Sequence, residues 1–285
     1  MNRISHRMVA FALLSALALA GCRREAEVPG GAVDAADAAG DPAAAVQDAA
    51  AEAGPVRLED VMESDPRYII GISYPPGMDR YPGLAAGLKR YADAARADLM
   101  EAVDAHDPAA GGAGVPYDLT LSYDVLAETP EVVAVQAWGT LYTGGAHGNP
   151  LVARFVWLPV RQEMLTAEAL VPDQAGWREV SAFVRESLHG ALSQRLDADE
   201  LEPQDRQRLM RSTGRMIDEG TAPEAANFAE FEPVQGADGR LRALRFVFPP
   251  YQVGPYSDGM QTVEVPAAVL LPHVAAEYRP LFQGG

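Results

Sequence analysis

Between Tyr117 and Val125 apolar and polar residues take turns: Tyr117, Leu119, Leu121, Tyr123 and Val125 are separated by Asp118, Thr120, Ser122 and Asp124. A period of two predicts a half-buried β-strand. Two more strands follow, from Val132 to Tyr142 after a turn at Thr129-Pro130, and from Leu151 to Leu158 after the segment Gly144 to Pro150. Upstream, Tyr68 to Tyr74 reads as a strand ended by Pro75-Pro76. The period then changes, and Leu84, Leu88, Tyr91, Ala95, Leu99 and Val103 form one stripe of a helix from Pro82 to Val103, stopped at Asp107-Pro108. A second helix, about Gln174 to Leu196, carries Trp177, Val180, Val184, Leu188 and Ala191 on one face behind an Asp173 N-cap; a third starts at Pro203 and ends by Gly220. Leu241 to Phe248 and Thr262 to Val265 are strands around the turn-rich segment PPYQVGPYSDG. Strands and helices are partly segregated, which predicts an α+β fold of antiparallel sheets with packed helices, in two closely associated subdomains at 58–142 and 143–285. Trp138, Trp157 and Trp177 fall within these patterns and are expected in the core.

The first 57 residues follow neither period. Arg3 and Arg7 precede an apolar run from Met8 to Ala20, and Leu19-Ala20-Gly21-Cys22 closes it. The run is shorter than the roughly 20 residues of a permanent span, so 1–21 reads as a secretory signal. The closing four residues resemble the lipobox of bacterial lipoproteins, in which small residues give the peptidase access and the thiol accepts diacylglycerol. Cys22 is the single cysteine of the chain, which leaves disulfides, thiolate catalysis and cysteine metal sites without a residue. Arg23 occupies the position where aspartate resembles an inner-membrane retention signal, and this favours the outer membrane. Residues 22–57 carry the lipidated cysteine and a tether of Ala, Asp, Glu, Gly and Pro without an aromatic side chain. A flexible chain of that length spans roughly 30–35 Å.

Charge narrows the partners. The formal net charge is −17, and loss of Arg3 and Arg7 with the signal takes it to −19. Phosphate backbones require basic patches, so nucleic acid is disfavoured; acidity serves solubility or a basic partner.

Chemistry is harder to find. The chain contains no G-x-S-x-G, no G-x-x-x-x-G-K, no H-E-x-x-H and no dinucleotide fingerprint, and its carboxylates mark out no acid and nucleophile pair. Histidines 106, 147, 189 and 273 lack the spacing of a metal pair, so no metal or cofactor is implied. His147 stands out because it lies in Tyr142-Thr143-Gly144-Gly145-Ala146-His147-Gly148-Asn149 between two strands. Glycines there either make a tight hairpin that His147 caps, or bring backbone N–H groups and an imidazole to a ligand. The second segment is PPYQVGPYSDG, where Pro255 and its neighbours stiffen a loop displaying Tyr251 and Tyr256, with Val253 and Gly259 beside them. One of these two rings is expected to be buried and the other exposed.

YTGGAHGN at 142–149, LTAEALV at 165–171 and PPYQVGPYSDG followed by VEVP at 263–266 resemble the bacterial domain-of-unknown-function family 3298. The resemblance runs from about Tyr142 to Phe282, and Tyr68 to Tyr142 resembles the companion family 4163 that commonly precedes it. Family 3298 supplies the external part of the lysozyme-responsive anti-sigma factor and an accessory part of a peptidoglycan N-acetylmuramic acid deacetylase. An anti-sigma factor needs a cytoplasmic segment and a spanning helix, and here only the removable signal precedes Cys22; nothing resembles the deacetylase's metal-dependent domain. The resemblance therefore implies a non-catalytic envelope binding module, with a lysozyme-like cationic muramidase as the sharpest ligand and other wall-associated molecules behind it. Its ligand-binding candidates are Tyr142, Gly144, Gly145, His147, Asn149, Tyr251, Val253, Pro255, Tyr256 and Gly259. The alternatives are a peptidoglycan-modifying hydrolase using His147 with an unidentified carboxylate, and a structural envelope protein binding neighbouring proteins.

The lipobox is tested by Cys22→Ala, which should abolish incorporation of radiolabelled palmitate and block cleavage by the lipoprotein peptidase; equal labelling of wild type and variant would refute the anchor.

Overall fold

The computed structural model describes residues 56–105 and 115–285. The signal, Cys22, nearly all of the tether, His106 and the helix stop at Asp107-Pro108 lie outside these residues. The first layer is a six-stranded sheet in chain order: β1 (Val61–Asp65), β2 (Tyr68–Ser73), β3 (Tyr117–Glu128), β4 (Val133–Tyr142), β5 (Asn149–Leu158) and β6 (Glu163–Met164). Between β2 and β3 runs helix α1 (Pro82–Ala105). The six residues of its predicted stripe are all buried, against Ile70, Leu119, Leu121, Val135, Phe155 and Trp157 of the sheet. Gly83 makes this seating possible, because a Cβ there would stand 2.4 Å from the Trp157 indole.

The sheet is mixed and not wholly antiparallel as expected. Crossing over through α1 brings β3 back parallel to β2, whereas the other neighbours are antiparallel hairpins. The edge strand β1 was not legible: its VMESD has one side bordered by solvent and no long apolar alternation. In β3 the predicted burial fails at its end: Val125, opposite the buried Val135, is 37% exposed, and a bulge follows between Val125 and Ala127. Trp138 is also not core. It projects from the face of β4 opposite α1, half exposed, with its indole N–H donating to Asp124 at 2.8 Å.

The second layer follows α2 (Ala167–Leu170) and contains helices α3 (Gln174–Ala198) and α4 (Pro203–Gly220) and an antiparallel sheet of β7 (Phe231–Gln235), β8 (Leu241–Phe248) and β9 (Gln261–Pro266), followed by α5 (Ala267–Leu270). Its core joins Trp177, Val180, Val184 and Leu188 of α3 to Phe228, Phe231, Phe246 and Phe248. Ala191 is exposed, and Leu192 continues the buried stripe in its place. Asp173 takes the N-cap position in extended conformation without a side-chain cap bond. The first sheet extends past Tyr142 to Met164, so the change of layer comes later in the chain than the 142/143 division drawn from the sequence.

Strand β5 belongs to both cores. Leu151, Ala153, Phe155 and Trp157 face α1, while Val156 and Leu158 face the second core. On that second face Arg154, with 5% of its side chain exposed, binds Glu232 of β7 at 3.0 Å. Glu232 also accepts from Arg245 of β8 at 2.8 Å, and the ladder continues outward through Glu264 of β9 to Arg242. Removing one member of a buried pair leaves the other charge desolvated. Glu232→Ala should therefore cost about 3–5 kcal/mol in urea unfolding, whereas Arg242→Ala at the half-exposed end should cost at most about 1 kcal/mol. Equal losses would show that the ladder does not tie the layers together.

Candidate functional site

The turn between β4 and β5 needs backbone that most side chains resist: Gly144 and Gly145 have φ of 106° and 91°. The Tyr142 hydroxyl steadies the turn by donating to the Gly145 carbonyl at 3.3 Å. His147 stands exposed at its far side, and Asn149, also exposed, opens β5.

The segment between β8 and β9 has an inward and an outward part. Val253 is 2% exposed within the second core, so it is an anchor of the loop and not part of a contact surface. On either side of it Tyr251 and Tyr256 are 51% and 36% exposed. The expectation of one buried ring is thus corrected: with Val253 filling the core, both tyrosines are directed to the surface. Tyr251 holds a left-handed φ of 76°, stabilised by its N–H donating to the Gly254 carbonyl at 3.0 Å. Pro255 leads into a short 3-10 turn at Tyr256–Asp258, which Gly259 leaves at φ 65°.

Anchors from elsewhere fix this loop. The Gln252 side-chain amide donates to the carbonyls of Gly220 and Asn227, both at 2.9 Å. At Gly220, the last residue of α4, a Cβ would stand 2.0 Å from the Gln252 carbonyl oxygen, so glycine permits the close approach. Arg195 of α3 binds Asp258 at 2.6 Å. These residues were missed in the sequence, where only the acidic Asp258 within GPYSDG offered a signal; its partner lies 63 positions away.

The two loops meet. The Tyr251 hydroxyl lies 3.0 Å from His147 Nε2, and the His147 ring stacks on Tyr256 with centroids 4.2 Å apart and planes 13° from parallel. The Tyr251 and Tyr256 rings are 5.6 Å apart, completing a three-ring cluster open to solvent. His147 Nδ1 lies 3.1 Å from the Gly148 carbonyl, which can only accept. Nδ1 therefore carries the proton, and Nε2 accepts from Tyr251. Both ring nitrogens are thus engaged, by the Gly148 carbonyl and the Tyr251 hydroxyl. His189 and His273 sit elsewhere, paired with Asp218 at 3.0 Å and Glu179 at 3.1 Å. Among the described residues no three His, Cys, Asp or Glu side chains gather as metal ligands, and no helix is long and apolar enough to cross a membrane.

The family model of DUF3298, described as a protein of unknown function, matches residues 241–268, the stretch that holds β8, the tyrosine loop and β9. A DUF3298 family protein from Pseudomonas aeruginosa superposes over 81% of this chain and 99% of its own, with a TM-score of 0.50 and 16% identity. The chain resembles the DUF3298 family. At that identity the superposition speaks for the fold, an α+β arrangement with two sheet groupings. A second member, from Bacteroides fragilis, has 17% identity over 74% of this chain and 85% of its own, with a TM-score of 0.41. No curated protein matches. The matched stretch contains PPYQVGPYSDG and VEVP, whereas YTGGAHGN, LTAEALV and the segment compared with family 4163 lie outside it.

The ring geometry fixes a tautomer that can be read directly. Long-range proton–nitrogen NMR should find His147 protonated at Nδ1, and Tyr251→Phe should release Nε2 and mix the tautomers while costing no more than about 1.5 kcal/mol of stability. A wild-type ring protonated at Nε2 would break the proposed hydrogen-bond order.

Proposed function

We propose that this chain is a lipid-anchored envelope lipoprotein whose folded part is a non-catalytic binding module, and that the cluster of His147, Tyr251 and Tyr256 is its contact surface for a basic, lysozyme-like protein. The observation that carries the reading is the junction of two loops distant in sequence into one exposed aromatic surface. Aromatic rings held by hydrogen bonds and a stiff loop give large contact area with little entropy left to lose, the property of recognition surfaces. The acidic chain supplies long-range attraction to a basic partner. Acylation at Cys22 and the following tether would place this surface away from the membrane, on the outer-membrane side that Arg23 favours.

Calorimetry or surface binding with a c-type lysozyme at two salt concentrations tests the reading. Added salt should slow association more than it speeds dissociation, because charge attraction is screened over about 8 Å at physiological ionic strength. Tyr251→Ala and Tyr256→Ala should each lower affinity by about 1–4 kcal/mol with the fold retained. No binding at tens of micromolar would remove lysozyme as the ligand, and unchanged affinity in both variants would move the contact elsewhere.

A further inference from the structure

Behind the tyrosine loop lies a cleft of about 220 Å³ between α3, α4 and the start of β9. Its apolar wall is made by Leu188 and Leu192 from α3, Ile217 from α4 and Val253 from the loop, all nearly inaccessible to solvent, with the polar Thr213 and Gln261 beside them. At its mouth stand Arg195 and Asp258, joined by a single N–H···O contact of 2.6 Å. Among the described residues Arg195 is the one cation lining the cleft. A guanidinium has five N–H donors in a planar fork, and it holds carboxylates best through two of them at once. The present pairing uses one donor, with 40% of the Arg195 side chain exposed.

We propose that this cleft binds a small carboxylate with an apolar body, of the kind represented by a medium-chain fatty acid, with the carboxylate on Arg195 and the hydrocarbon between Leu192, Ile217 and Val253. Charge selects the class: Asp258 at the same rim is already paired, whereas the guanidinium keeps further donors for a second acceptor, so an anionic head group finds an ionic partner and a neutral one does not. Volume limits the size, since sites for drug-sized ligands occupy roughly 300–1,000 Å³. The ligand's carboxylate takes two donors of the guanidinium where Asp258 takes one, so the exchange favours the ligand by about one charge-assisted contact, and the buried hydrocarbon supplies the rest of the affinity. Asp258 is the residue displaced, and it closes the turn that begins at Tyr256. Occupation therefore loosens one anchor of the aromatic cluster; insofar as that cluster is the contact surface, which rests on the function proposed above, the bound carboxylate weakens partner binding.

The test uses octanoate, octanol and the full-length protein without any partner, so its outcome stands apart from lysozyme binding. In methyl-labelled protein, octanoate should shift Leu188, Leu192, Ile217 and Val253 and saturate in the millimolar range, with octanol binding about tenfold more weakly, the ratio one charged contact contributes. Arg195→Gln should remove this preference. Asp258→Asn should have the opposite effect, tightening octanoate severalfold by removing the competing carboxylate, an outcome that a damaged fold would not imitate. Ile217→Phe, which fills the cleft, should abolish the shifts. Octanoate and octanol binding equally to wild type, no methyl shift at millimolar concentrations, or weakened octanoate binding in Asp258→Asn would each overturn the proposal.

Discussion

Strand β5 has to be buried on both faces, and most of the architecture follows from how that is achieved. Its α1-facing side chains complete the first core, and Val156 and Leu158 enter the second. The polar exception, Arg154, is tolerable because Glu232 meets it from β7. An arginine buried without that carboxylate would be costly, so the pair ties the register of the second sheet to the first as well as neutralising a charge. Phe231 and Phe246, opposite one another on β7 and β8, bring the apolar side of the second sheet into the same core.

This seating also places the candidate site. The His147 turn opens β5, and the tyrosine loop leaves β8 at Phe248, so the contact between the layers brings the two loop ends together. The ring cluster then needs little further ordering. Val253 is fixed by burial, Gln252 by two carbonyls, Asp258 by Arg195, and Tyr251 by the local bond that holds its left-handed backbone. On the function proposed above, this surface is a preorganised recognition patch. Its polar groups satisfy one another, leaving ring faces and edges for contact.

Support for the loop is unequal on its two sides. At Gly220 the backbone of Gln252 lies directly on the end of α4, an approach that any side chain would block. At Asp258 the support is a partly exposed ion pair beside a cleft, and ion pairs of that kind are readily exchanged for water or another ion. The firm anchor holds Tyr251 and the exchangeable one holds the turn of Tyr256. A change in the cleft would therefore reach Tyr256 before Tyr251.

Local periodicity made the main elements legible. The stripe from Leu84 to Val103, the alternation through Tyr123, the Pro203 helix start and the strands around the tyrosine loop are where residue spacing put them, because each pattern records which side of one element avoids water. The alternation misled at Val125, which is exposed at the end of the regular register where the bulge begins, and aromatic character misled at Trp138, whose neighbour Asp124 holds it on an open sheet face. Short elements such as β1 and β7 carry too few residues to show a period. YTGGAHGN and PPYQVGPYSDG were recognisable as unusual loops, and the glycines that one requires were visible as such. Only the tertiary structure decided that Val253 turns inward, that both tyrosines turn outward and that His147 meets them. These contacts join residues about a hundred positions apart, and their geometry depends on two cores packing against one strand, which no local pattern encodes.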